Sequence, residues 1–110
     1  NSKELVVHVL EKRGILKYFD TIRTSCEAKK GKPAPDIYLL AASDLEVEPS
    51  KCLVFEDLPF GILAGKNAGM RVCTIFDNFS QPSIDKKREL ADYYIDDYTA
   101  ILEDKVERLA

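Results

Sequence analysis

No apolar run in this chain approaches the roughly 20 residues that a membrane-spanning helix requires, so a transmembrane segment is not expected. The opening residues NSKELVV lack the charged-then-apolar layout of a secretory signal, and a cytoplasmic protein is the expectation. Basic residues are neither in excess nor clustered. Sixteen Lys and Arg stand against 19 Asp and Glu for a net charge of -3, and no basic block interleaves with aromatics, which argues against a nucleic-acid partner. Cysteine is sparse and odd in number: Cys26, Cys52 and Cys73 lie far apart, with no pair at the short spacing of metal sites. They read as reduced thiols of the core. The single histidine, His8, sits in the middle of a helical pattern and receives no function. Repeats and low-complexity segments are absent as well.

What is present is the composition of one small globular domain, 110 residues with 45% hydrophobic side chains. Leu5, Val6, Val9 and Leu10 recur at helical spacing and Gly14 ends the pattern, predicting an amphipathic helix over 2–13. The β-rich stretch TIRT, residues 21–24, predicts a short strand. Pro35 and Asp36 suit a helix start, and Ile37, Leu40, Ala41 and Leu45 mark one face of the helix that follows. Residues 52–55, CLVF, form a continuous apolar run, the pattern of a strand buried on both faces, and it ends abruptly at Glu56-Asp57. A third helix opens at Pro59 and carries Gly61, Ala64, Gly65 and Ala68 on one stripe, a device for close approach to a sheet. A strand over 71–76, a polar helix from Pro82 to Leu90, a strand over 93–95 and a last helix from Tyr98 complete the alternation. Strands alternating with helices predict an α/β fold with a parallel sheet and helices on both faces. Sheets of this kind take their ligands beyond the carboxyl ends of the strands. Both Lys32 and Glu56-Asp57 follow such ends.

Taken singly, Asp57 reads as the N-cap of the Pro59 helix and Lys32 as a surface lysine. Together they point to chemistry. Adjacent carboxylates at the mouth of a strand repel each other unless a cation keeps both ionised. Magnesium prefers such oxygens and shares its remaining positions with water and substrate phosphate. Lys32 is stiffened by Pro33 and Pro35 and would meet the phosphoryl oxygens as a point charge.

The stretches GKPAPDIY, CLVFEDLPFGILAGKNAGM and RVCTIF resemble the latter half of the haloacid dehalogenase superfamily, in its β-phosphoglucomutase and sugar-phosphate phosphatase branch. The resemblance runs from Asn1 to about Leu102. It implies a Rossmann-like core of which residues 1–110 form the C-terminal part, holding the third and fourth motifs. On that basis Lys32 is the catalytic lysine, Glu56 and Asp57 are ligands of Mg2+, and Asn1, Ser2 and Lys3 are substrate-binding residues. The implied activity is magnesium-dependent phosphoryl transfer through an aspartyl-phosphate.

Two departures from the family pattern stand out. Leu58 occupies the place where the family usually carries Ser or Thr, and no D-x-D-G-[ST] sequence occurs in the chain. The first-motif strand with its nucleophilic Asp, the helical cap and the second-motif residue are therefore missing, and these 110 residues alone are expected to be inactive. The expected partners are a small phosphorylated metabolite and the missing N-terminal half of the same polypeptide. Hydrolysis of a sugar phosphate is the preferred reaction. A β-phosphoglucomutase-type isomerase is the alternative, weakened because Glu4 stands where the mutases carry an amide in a Ser-Lys-Asn stretch that helps to hold a second phosphate. A non-catalytic binding protein on the same fold is the second alternative.

Overall fold

A computed structural model describes residues 2–110. Helix α1 spans Lys3–Lys12 and begins where the Ser2 hydroxyl accepts the Leu5 N–H. It buries none of its residues: Leu5 and Val9, the apolar stripe, are 56% and 46% exposed. Helix α2 spans Asp36–Leu45. Strand β1, Leu53–Glu56, is followed by α3, Pro59–Asn67, then β2, Arg71–Ile75, and α4, Ile84–Leu90. Strand β3 covers Tyr93–Ile95, α5 Thr99–Leu102 and β4 Glu107–Arg108. The order in the sheet is β1-β2-β3-β4. β1 runs parallel to β2, with Leu53 opposite Arg71 and Glu56 opposite Thr74, and β2 runs parallel to β3. Only β4, which the apolar pattern does not mark, is antiparallel.

The small-residue stripe of α3 does what its pattern predicts. Gly61, Ile62, Ala64 and Gly65 are all buried. A Cβ on Gly65 would stand 2.6 Å from Val72 Cγ2, so only glycine lets this helix lie so close to β1 and β2. Val54, Val72, Ile62, Met70 and Ala42 form the main core on this face. The opposite face is covered by α5, whose Ala100 packs with Cys73 and Ile95.

Four expectations need correction. Residues 52–55 are not buried on both faces: Val54 is buried, but Leu53 and Phe55 are 50% and 40% exposed. β1 is the edge of the sheet, and α3 covers one side of it only. Residues 21–24 form no strand, because a strand needs a neighbour to share its backbone hydrogen bonds and none of the four strands of the sheet lies beside them. The segment is held by side chains instead. The Arg23 guanidinium grips Asp44 on α2 with bonds of 2.6 and 2.8 Å, and Thr21 donates to the same carboxylate. Of the three free cysteines Cys73 is buried in the core and Cys52 is half-buried against it, but Cys26 is not a core thiol. Cys26 is exposed, in a turn closed by a capping box between Thr24 and Glu27. Finally, Asp57 does not occupy the N-cap of α3. That position falls to Leu58, which makes no side-chain cap.

Candidate active site

Glu56 closes β1 and points into the niche beneath α3. A Cβ on Gly61 would come within 2.0 Å of Glu56 Cδ, so the first turn of α3 leaves the space the carboxylate fills. Lys32 Nζ donates to Glu56 Oε2 at 2.8 Å, and the Tyr38 hydroxyl donates to the same oxygen. Oε1 accepts the backbone N–H of Asp57 at 3.2 Å. The ammonium of Lys32 also lies 5.2 Å from the centre of the Tyr38 ring, in cation–π range. The loop that carries Lys32 has a cis peptide between Lys32 and Pro33, and Asn67 at the end of α3 donates to the Pro33 carbonyl at 2.9 Å.

The two neighbouring carboxyl groups respond in opposite directions. Burial alone would raise Glu56, but the hydrogen bonds from Lys32 and Tyr38 outweigh it and hold the group below the usual carboxylate range. Asp57 is raised, first by burial and then by the charge and hydrogen bonding of Glu56, with Asp77 adding to it. Lys32 is thus the counter-charge of Glu56, and the pair of acids does not depend on a metal to keep Glu56 ionised.

A cleft of about 410 Å³ opens at the carboxyl ends of β1 and β2, lined by Glu56, Asp57 and Asp77 together with Phe55, Phe76 and Tyr98. Lys32 does not line it and joins it through Glu56. The donor set is all carboxylate, which suits a hard cation such as magnesium. Among the described residues no group of three or more His, Cys, Asp or Glu side chains is placed to hold a metal. Magnesium fits this arrangement, because it is commonly held by one or two carboxylates with water and phosphate completing the shell. Glu56 Oε1 and Asp57 are the groups that would face it.

The structure therefore brings Lys32, Glu56 and Asp57 together. Ser2 and Lys3 make their contacts elsewhere, Ser2 as the cap of α1 and Lys3 with Glu27 at 3.6 Å. Asn1 lies outside the described residues. Sequence reasoning missed Tyr38 and Asp77. The four-residue step from Tyr38 to the buried Ala42 was the available signal for Tyr38, since it marks the side of α2 that faces β1. Asp77 follows the carboxyl end of β2 as Asp57 follows that of β1, and that parallel was its signal.

A family model described as haloacid dehalogenase-like hydrolase matches residues 1–69. The chain belongs to the haloacid dehalogenase-like hydrolases. Over 69 residues it is 45% identical to the fructose-1-phosphate phosphatase YqaB of Escherichia coli, an alignment covering 63% of this chain and 35% of that protein. The fold of a haloacid dehalogenase-like protein of unknown function from Agrobacterium tumefaciens superposes with a TM-score of 0.80 at 29% identity, covering 94% of this chain and 49% of the other. The β-phosphoglucomutase of Clostridium difficile gives a TM-score of 0.70 at 29% identity, covering 90% and 44%. This haloacid dehalogenase-like chain thus spans about a third to a half of the length of the relatives it matches. Its α/β sheet, parallel but for β4, matches theirs. No helix among the described residues is long and apolar enough to cross a membrane.

Proposed function

We propose that this chain is the charge-stabilising half of a cytoplasmic, magnesium-dependent phosphohydrolase acting on a small phosphorylated metabolite of the sugar-phosphate class. The observation that carries the reading is the Lys32 ammonium 2.8 Å from Glu56 at the carboxyl end of β1, with Asp57 bonded to the other oxygen of the same carboxylate. Bound magnesium would supply positive charge to the transferring phosphoryl group. The chain's own residues do the rest of this half's work. Lys32, held by Glu56 and Tyr38 at the edge of the cleft, supplies positive charge for the phosphoryl group, and Asp57 presents its carboxylate to the cleft. The nucleophilic Asp, its acid/base partner and the cap that selects the substrate belong to a further segment, the N-terminal half of the same polypeptide.

Hydrolysis is favoured over isomerisation. A mutase needs a second phosphate site, and here the Ser2 hydroxyl accepts the Leu5 N–H, Lys3 faces Glu27, and Glu4 adds a like charge. A purely binding role would not require a lysine and two acids gathered on one rim.

The test is to assay the polypeptide in which a D-x-D-G-[ST] strand precedes this chain, using p-nitrophenyl phosphate and a panel of sugar phosphates, with and without magnesium. The expected result is magnesium-dependent release of phosphate, reduced by orders of magnitude in Lys32→Ala and Asp57→Ala. Absence of turnover across the panel overturns the enzymatic reading. Unaffected rates in both variants overturn the residue assignment.

A further inference from the structure

Lys87 is the largest fully buried side chain among the described residues, with 0% exposure. It lies on α4, four residues before the buried Ala91 that caps the helix, so a lysine takes a core-facing position where an apolar residue is usual. Lysine is almost never fully buried without partners for its ammonium. One partner is known: Nζ donates to the carbonyl oxygen of Ile75 at 2.7 Å. Ile75 is the last residue of β2, at the same carboxyl end of the sheet where Glu56 closes β1, and with Asp57 and Asp77 it lines the acidic cleft.

Burial lowers the basicity of Lys87, while Asp77 and then Asp57 pull it back up, so both acids of the cleft act on this ammonium. Asp57 and Asp77 in turn repel each other. Through its bond to Ile75, which lines the cleft beside Asp57 and Asp77, the Lys87 ammonium is placed at the carboxyl end of β2 on the protein side of that cleft.

Building on the reading of Glu56 and Asp57 as metal ligands, we propose that Lys87 is a fixed counter-cation of the acidic cleft, which holds its carboxylates together in the absence of metal and lowers the affinity of the cleft for magnesium. A purely structural lysine, serving only to bond the end of β2, would have the opposite signature. Its loss would loosen the cleft and leave metal binding unchanged or weaker.

Magnesium alone, titrated into the polypeptide in which a D-x-D-G-[ST] strand precedes this chain and followed by the NMR shifts of the Asp57 and Leu58 amides, distinguishes the two. Lys87→Met removes the charge. Lys87→Gln removes it but keeps a donor for the Ile75 carbonyl. Both variants are expected to bind magnesium on the order of tenfold more tightly than the wild type, since a like charge beside the cleft is gone. Equal or weaker binding in the two variants overturns the role of Lys87 while leaving the metal site standing, and so does loss of the fold in both. A wild type with no saturable shift at Asp57 and Leu58 overturns the inference together with the metal reading.

Discussion

The first turn of α3 rests on the carboxylate of Glu56, with Gly61 so close that a Cβ there would lie 2.0 Å from Cδ and 2.2 Å from Oε2. The same carboxylate carries Lys32 at 2.8 Å. Helix packing and charge placement are therefore one arrangement, and disturbing the glycine displaces the lysine.

Gly61→Ala and Gly65→Ala are expected to fail in different ways. The methyl at 61 meets the Glu56 carboxylate, which can leave its niche only by giving up its bonds to Lys32 and Tyr38 and so carries Lys32 off its position. Turnover in the active polypeptide should fall on the order of 100-fold, as for other misplaced catalytic groups. The methyl at 65 meets Val72 and Val54, both buried and stiff. There the overpacking cost of about 1–3 kcal/mol exceeds the roughly 1 kcal/mol gained in helix propensity, for a net loss of up to about 2 kcal/mol. Denaturant unfolding of the two variants beside phosphatase assays separates the effects.

Leu58 is the N-cap of α3 and offers no acceptor, although its backbone is already extended at φ -116° and ψ 147°. Leu58→Ser supplies the missing oxygen to the first turn. The expected gain is about 1 kcal/mol, read as a higher denaturant midpoint with an unchanged slope.

Thr74 is fully buried on β2, and its hydroxyl has no hydrogen-bond partner among the described residues. Thr74→Val exchanges that hydroxyl for a methyl of the same shape in a strand, where a β-branched residue is favoured. Removing an unsatisfied buried group should stabilise the chain by about 1 kcal/mol or more. A loss of stability on thermal unfolding would mean that the hydroxyl has a partner after all.

Asp92 fastens α3 to the sheet. Its carboxylate accepts Lys66 Nζ at 2.7 and 2.8 Å and the Val72 N–H at 2.9 Å. Burial would raise its pKa, but these bonds prevail and the group is held below its ordinary value. A depressed carboxyl contributes stability that is complete above its unfolded value, about 3.9, and is lost as pH falls through the lower folded one. Asp92→Asn should therefore be less stable than the wild type at pH 6, with the gap narrowing toward pH 3. Denaturant midpoints across that range check the sign.

Much of this was legible in the chain itself. The period of the apolar residues placed α2 and β3, and the glycine and alanine stripe foretold the close seat of α3. The FEDLP stretch named Glu56 and Asp57 because polar groups following an apolar strand emerge at its carboxyl end, whereas Lys32, expected to follow a strand over 21–24, follows no strand in the structure. Less legible were features that depend on what lies alongside. The run 52–55 reads as a buried strand, yet Leu53 and Phe55 are half open because α3 covers only the face of β1 that carries Val54. Residues 21–24 have strand composition and no strand to pair with.

The sequence by itself determined which side chains stand at the ends of which elements, since periodicity, caps and glycines act over a few residues. Only the tertiary structure decided that Lys32 and Tyr38 converge on one oxygen of Glu56 and that the buried ammonium of Lys87 meets the Ile75 carbonyl at the end of β2. Charge interactions depend on distance through space and on exclusion of water, and neither is encoded in the spacing of residues along a chain.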